Sequence, residues 1–283
     1  MTPAVMPPRQ YQGLILLRGG GDLATGVAAR LYRSGFRVVV TEIAQPLAVR
    51  RLVALAEAVF SGEVQIEEDL RGVRVEDPSA ALKVLKEGGI PVLVDPDAFS
   101  RHVLKPPIIV DARMLKTAPD LDQSDAQLVI GLGPGFIAGE NCHVVIETNR
   151  GHRLGRVIRA GAAQADTAIP EAVVGVDRAR VLRSPCDGVL QAATELGSIL
   201  QKGELIARVS GQEVRAPFDG ALRGLVHDGV HVVENMKIGD LDPRGVREYC
   251  ELISDKALSI GGGVLEAILN DPVLRAQLCE PCS

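Results

Sequence analysis

Aromatic residues are scarce in this sequence. The chain has 283 residues, no tryptophan, and an aromatic content of only 3%. Its cores must therefore be built from Val, Leu, Ile and Ala, the residues that dominate buried parallel strands and the helices covering them. This composition favours an α/β fold over an all-β sandwich, and the length suits two domains.

Excess positive charge is also absent. Lysine and arginine number 31 against 36 aspartates and glutamates, a net charge of −5, so no global basic surface is available to bind nucleic acid. The sequence has no apolar run long enough to cross a bilayer, and its first twelve residues lack the apolar stretch of a secretion signal. We therefore expect a cytoplasmic protein with neither nucleic acid nor membrane as a partner.

Cysteine is too sparse and too dispersed for a disulfide framework. There are five cysteines, an odd number, and three of them are widely spaced. Cys279 and Cys282 are separated by two residues near the C-terminus, but a complete structural zinc site needs four ligands. We therefore predict no metal site.

A glycine-rich loop is the clearest motif. Residues 14–17 predict a short buried strand, and the sequence from Gly19 to Ala24 then matches G-x-G-x-x-A at the start of a predicted helix. In this motif the glycines allow a tight turn and close approach of a pyrophosphate, which binds the N–H groups at the start of the helix. The predicted ligand-binding residues are Gly19, Gly20, Gly21, Asp22, Ala24 and Thr25. The alternative is a glycine turn that serves helix packing alone.

An acidic residue stands where a dinucleotide-binding domain needs one. Glu42 follows a second predicted strand, residues 37–41, and lies 21 positions beyond Gly21, where an acid hydrogen-bonds the ribose hydroxyls. A helix is predicted from residue 48 to residue 60. This pattern suits NAD(P) or another dinucleotide as the ligand.

Three more predicted strands, residues 91–94, 108–110 and 127–130, also end at polar or glycine residues. Ligands of open parallel sheets bind at the carboxyl ends of the strands, so the predicted site gains Asp111, Arg113, Gly133 and Gly135. A helix cap for the acid and an interdomain turn for the glycines are the alternatives. These features predict a Rossmann-like nucleotide-binding domain over residues 1–140.

The remainder of the sequence predicts a β-rich domain over residues 141–243 and a helical tail over residues 244–283, interrupted at Gly261 to Gly263. Asn149, Arg150 and His152 concentrate polar groups that could hold an anionic ligand. Residues 184–190 and 216–222 repeat one pattern at an offset of 32, which resembles the two hairpin-like halves of a biotinyl/lipoyl barrel-sandwich. The hairpin that would join them has no lysine, so we predict neither biotin nor lipoate.

Six uncommon segments together carry a family resemblance: residues 18–26, 110–113, 131–135, 147–152, 253–256 and 261–266. The set resembles the YqeB family, and its N-terminal part is distantly similar to the XdhC-type maturation proteins. Glycine is usual in that family where this chain has Ala168.

The resemblance implies an accessory role in maturing a selenium-dependent molybdenum hydroxylase. It implies molybdopterin or its dinucleotide form as the ligand and the hydroxylase as a partner. Independently of the resemblance, a second copy of the chain is another candidate partner. The alternatives are an NAD(P)-dependent oxidoreductase and a non-catalytic docking scaffold. No catalytic residue is predicted.

Overall fold

A large sheet organises the first half of the chain. The computed structural model describes residues 13–115, 119–165 and 178–278. The strands of this half are β1 (Leu14–Arg18), β2 (Arg37–Glu42), β3 (Glu63–Ile66), β4 (Leu70–Val75), β5 (Ile90–Val94), β6 (Ile108–Asp111), β7 (Leu128–Leu132), β8 (Ile137–Ala138), β9 (Val144–Ile146), β10 (Val157–Ile158) and β11 (Gly161–Ala162).

Nine of these strands form one sheet in the order β10-β9-β7-β6-β1-β2-β5-β4-β3, while β8 pairs with β11. The seven strands from β9 to β4 in this order are parallel, and β3 and β10 are antiparallel to their neighbours at the two edges. The order reverses between β1 and β6, since β2 lies on the other side of β1. Ligand sites of α/β sheets lie at such a reversal.

Seven α-helices are described: α1 (Asp22–Arg33), α2 (Ala58–Ser61), α3 (Pro78–Lys86), α4 (Ser100–Leu104), α5 (Glu248–Glu251), α6 (Asp255–Leu269) and α7 (Pro272–Leu278). Local sequence sets their starts: Asp77 caps α3 with Pro78 in its first turn, and Ser254 caps α6. No helix in the described ranges is both long enough and apolar enough to cross a membrane.

Helix α6 packs closely on α1. A Cβ on Gly26 would lie 2.5 Å from Ala257, and one on Gly261 would lie 2.5 Å from the carbonyl oxygen of Gly26. A Cβ on Gly261 would also lie 2.8 Å from the side chain of Arg30, so the contact moves one turn further along both helices, and α1 and α6 run roughly parallel and begin near each other. The glycine triplet lies inside one continuous helix. The predicted interruption at Gly261 to Gly263 is therefore wrong, because glycine serves close helix packing there.

The region of the internal repeat contains β12 (Val181–Arg183), β13 (Gly188–Ala192), β14 (Ile199–Leu200), β15 (Leu205–Val209), β16 (Gln212–Arg215), β17 (Gly220–Leu225), β18 (His231–Val232) and β19 (Lys237–Asp242). They form two four-stranded sheets, β12-β19-β17-β14 and β16-β15-β13-β18. Strand β14 of the first copy pairs with β17 of the second, and β18 of the second pairs with β13 of the first. The two copies therefore exchange their shortest strands, and both contribute to one apolar core.

The fold class predicted from the sequence is wrong. The large sheet is mixed where a parallel sheet was predicted. In place of a biotinyl/lipoyl barrel-sandwich of two hairpin-like halves, the repeat region forms two antiparallel sheets whose two-residue strands pair across the copies. In place of a separate helical tail, α6 and α7 bury residues such as Ile260 and Leu274 in the core under the large sheet. The domain boundaries after residues 140 and 243 stay a prediction.

Candidate ligand-binding site

The glycine loop lies at the point where the strand order reverses. Gly19 follows β1 with φ +91°, a conformation that favours glycine, and its N–H donates to the carbonyl oxygen of Thr41. A Cβ on Gly19 would lie 3.4 Å from the backbone of Ala112 and Arg113, just beyond β6. The loops after β1 and β6 are thus in contact, and they bring the predicted residues Gly19, Asp111 and Arg113 together.

Glu42, at the end of β2, is attached to the same loop. Its Oε2 accepts a 2.7 Å hydrogen bond from the N–H of Gly20, and its Oε1 accepts one of 2.8 Å from the N–H of Ile43. Gly20 is also enclosed from the other side, because a Cβ there would lie 2.8 Å from the backbone nitrogen of Ala56. Glu42 therefore fixes the loop, and its contact with a ribose stays a prediction.

The start of α1 is open. The structure records no hydrogen-bond acceptor, within its described ranges, for the N–H groups of Gly21, Asp22 and Leu23. A Cβ on Gly21 would meet nothing within 4 Å. Three adjacent unpaired donors at a helix N-terminus favour an anion. The first turn of α1 thus presents three unpaired N–H donors beside open space at Gly21.

Two predicted residues support this end of α1 from inside. Ala24 and Thr25 are buried. Thr25 Oγ1 donates to the carbonyl oxygen of Gly21 at 3.0 Å and accepts from the N–H of Leu55 at 3.0 Å. The two side chains therefore position the glycine loop from the buried side of α1.

Arg50 compensates the negative charge of Asp22. Its guanidinium lies 3.3 Å from Asp22 Oδ2 and donates to the carbonyl oxygen of Leu252 at 2.9 Å, just before α6, and the Arg50 side chain is only 8% exposed. Sequence reasoning missed Arg50, which lies in no motif and is placed by a partner about 200 positions away. The ion pair leaves the start of α1 less repulsive to an anion than Asp22 alone would make it.

Two arginines and two aspartates form a network at the ends of β1 and β6. Arg113 donates to both carboxylate oxygens of Asp111, from Nε to Oδ1 at 3.0 Å and from Nη2 to Oδ2 at 2.6 Å, and it also contacts Asp120. Arg18, fully buried, binds Asp120 at 2.7 Å. Burial raises the pKa of Asp120, but the hydrogen bonds from Arg18 and Arg113 outweigh it and lower that pKa well below its usual range. Asp111 and Arg113 are thus bound to protein partners.

The other predicted residues lie farther along the sheet. Gly133 follows β7 and packs against Thr148, whose Oγ1 would be 2.5 Å from an added Cβ. Gly135 has φ +100° and begins the turn into β8. β9, which precedes Asn149, is three strand positions from β1, roughly 14 Å. These residues therefore lie on the same edge of the sheet as the glycine loop, but several strands away from it.

Arg150 and His152 differ in their surroundings. Arg150 forms a two-bond ion pair with Asp255, at 2.7 and 2.9 Å, at the first residue of α6. The side chain of His152 is exposed. No group of three or more histidines, cysteines and acids that could hold a metal ion occurs in the described ranges. Cys279, Cys282 and Ala168 lie outside the described residues.

Comparison with solved structures gives only weak similarities. An aspartoacylase family protein of Mesorhizobium loti is 15% identical, with 82% of this chain and 86% of that chain covered and a TM-score of 0.25. A succinylglutamate desuccinylase of a Silicibacter species is 17% identical, with 83% and 86% covered and a TM-score of 0.24. Scores this low carry no argument about fold or function. No family model matches the chain.

Comparison with curated proteins gives a strong match. YqeB of Escherichia coli (strain K12) is 45% identical over 270 residues, which are 94% of this chain and 49% of that protein. The chain therefore spans about half the length of this relative. The match supports the resemblance to the YqeB family that the sequence motifs indicate.

Proposed function

We propose that this chain binds the phosphate or pyrophosphate of a nucleotide-like ligand at the start of α1. The observation that carries the proposal is the set of unpaired N–H groups of Gly21, Asp22 and Leu23 beside open space. Helix N-termini beside the reversal point of an α/β sheet are recurrent phosphate sites. The chain supplies the donors, and Arg50 reduces the opposing charge of Asp22.

The biological role that we propose is maturation of a selenium-dependent molybdenum hydroxylase. It rests on the resemblance to YqeB, with molybdopterin or its dinucleotide form as the proposed ligand and the hydroxylase as the proposed partner. In this role Gly21, Asp22 and Leu23 would hold the ligand's phosphate through their N–H groups. The bound ligand would supply the dithiolene sulfurs that coordinate molybdenum.

The oxidoreductase alternative is less favoured by the geometry around Glu42. Both carboxylate oxygens of Glu42 already accept a backbone N–H, whereas a dinucleotide-binding domain uses this acid for the ribose hydroxyls. The side chain has an evident structural role without a ribose. Its position alone therefore gives little support for NAD(P).

A complementation experiment tests the proposed role. A strain that lacks the gene is supplied with the wild-type chain, with Gly21→Asp, or with Gly262→Asp. The control is matched because Gly262 is also a glycine without positive φ whose added Cβ meets nothing within 4 Å. Hydroxylase turnover, hydroxylase protein and bound cofactor are then measured.

We expect the deletion and Gly21→Asp to reduce turnover and bound cofactor while hydroxylase protein remains present. Wild type and Gly262→Asp should restore both. Normal turnover with fully loaded cofactor in the deletion strain would reject the maturation role. Full rescue by a folded Gly21→Asp chain would reject the start of α1 as the site that the role requires.

A further inference from the structure

Arg223 lies at an irregularity in β17. Leu222 is opposite Leu241 of β19, and Gly224 is opposite Asp240, the preceding residue of β19. Arg223 is therefore the extra residue of a β-bulge. Bulges change the direction of a side chain and are common beside functional sites.

The side chain of Arg223 is mostly buried and makes no hydrogen bond to the described residues. Its side chain is 13% exposed, and its Nε is fully buried with no partner. Its closest acids are Asp242 at 3.8 Å and Asp240 at 3.9 Å, distances beyond a hydrogen bond. The side chain of Arg223 donates no hydrogen bond within the described ranges. The fully buried Nε is a costly unpaired donor, and the two terminal nitrogens, which are not fully buried, can meet an acceptor from solvent.

The two neighbouring aspartates are already occupied by other arginines. Arg180 binds Asp240 through two bonds, at 3.0 and 2.9 Å, and Arg244 binds Asp242 through two bonds, at 2.9 and 2.5 Å. Three guanidinium groups thus share two carboxylates, and the next acid that interacts with Arg223, Asp255, is paired with Arg150. Arg223 is the member of this group that contacts the carboxylates only at ion-pair distance, without a hydrogen bond.

The charges around Arg223 come from several elements. Burial lowers the pKa of Arg223, and the positive charge of Arg50 lowers it further, as does that of Arg180, while Asp240 and Asp242 oppose the shift. Arg50 also pairs with Asp22 at the start of α1, so the group lies between the repeat region and the glycine loop. An additional anion there would reduce the repulsion among the arginines.

We propose that Arg223 binds a phosphate-type oxyanion. The anion would accept hydrogen bonds from the guanidinium, whose planar fork matches the geometry of phosphate. This site is distinct from the N–H groups of Gly21, Asp22 and Leu23, and it does not depend on the function proposed above. The anion comes either from free phosphate or from a phosphate group of a nucleotide-like ligand.

Calorimetry on the full chain tests this site. The probes are inorganic phosphate and ADP, and the variants are Arg223→Gln and, as a control, Arg215→Gln. Arg215 belongs to the same repeat region, but it is exposed and paired with Glu213. Every titration is repeated in a Gly21→Asp background, which removes the proposed site at α1 and leaves Arg223 intact.

We expect Arg223→Gln to weaken binding by about tenfold or more, the equivalent of one charged hydrogen bond, in both backgrounds. Arg215→Gln should leave binding unchanged. If Arg223→Gln weakens the binding of inorganic phosphate, free phosphate is sufficient as the ligand. If it weakens the binding of ADP alone, the site takes a phosphate group that is part of a larger ligand. No binding of either probe by wild type, or equal binding by Arg223→Gln, would overturn the proposal.

The two sites can fail separately. If Gly21→Asp abolishes binding and Arg223→Gln has no effect, the proposal for Arg223 fails and the site at α1 stands. If Arg223→Gln abolishes binding and Gly21→Asp has no effect, the site at α1 fails and the proposal for Arg223 stands. Thermal unfolding without ligand gives an independent check. Because Arg223 makes no hydrogen bond, Arg223→Gln should not lower Tm, and a marked fall in Tm with unchanged affinity would assign Arg223 a purely structural role.

Discussion

Consecutive glycines of α6 should respond in opposite directions to the same substitution. A Cβ on Gly262 would meet nothing within 4 Å, whereas one on Gly261 would lie 2.5 Å from the carbonyl oxygen of Gly26. Alanine is favoured over glycine in a helix by about 1 kcal/mol. Gly262→Ala should therefore raise the free energy of unfolding by about that amount.

Gly261→Ala gains the same helix preference but must separate α1 from α6. Overpacking costs about 1 to 3 kcal/mol, and we expect a value near the upper end because the contacting atom belongs to the backbone of a second helix. The net effect should be a loss of about 2 kcal/mol, which places the two variants about 3 kcal/mol apart.

Urea unfolding followed by far-UV circular dichroism measures this difference. Equal stability of the two alanine variants would refute the close packing of α1 and α6. It would also remove the reason for placing the starts of these helices side by side at the candidate site.

Three further predictions concern single side chains. Glu42→Ala should lower the free energy of unfolding without ligand by about 1 to 3 kcal/mol, because the buried N–H of Gly20 loses its acceptor; unchanged stability with weaker ADP binding would instead indicate a ribose contact. Arg150→Ala should return the pKa of Asp255, which the hydrogen bond from Arg150 lowers to about 2, towards 3.8, as measured by NMR titration. Because the folded pKa is lowered, the stabilisation from this exposed pair, about 1 kcal/mol or less, should be present above pH 4 and disappear as the pH falls towards 2. Burial raises the pKa of Cys142 to about 11, so peptide mapping should find it alkylated at pH 8 only after unfolding.

Local patterns predicted the start of the chain well. The apolar run ahead of the glycine cluster forms β1, the β-branched run from Arg37 forms β2, and α1 begins within the motif at Asp22. These elements are set by neighbouring residues and by their apolar pattern. The helix predicted from residue 48 to residue 60 is instead two 3-10 turns followed by α2, because Ala56 donates its N–H to Gly20 and the segment covers the loop.

Features that depend on distant contacts were not predictable. The glycines of α6 suggested an interruption, since the sequence does not show that Gly26 lies against them. The exchange of β14 and β18 between the repeat copies has no local signature either. Arg50 and Arg223 belong to no motif, and their importance follows from burial and from partners far away in the sequence.

Titration of the full chain with inorganic pyrophosphate tests the central claim most directly. Calorimetry on wild type, Gly21→Asp and Gly262→Asp compares one carboxylate placed at the open start of α1 with one placed at an open position of α6. We predict binding by wild type and by Gly262→Asp, and a loss of the α1 site in a folded Gly21→Asp chain. Equal pyrophosphate affinity and stoichiometry in all three proteins would contradict the assignment of Gly21, Asp22 and Leu23 as the phosphate site.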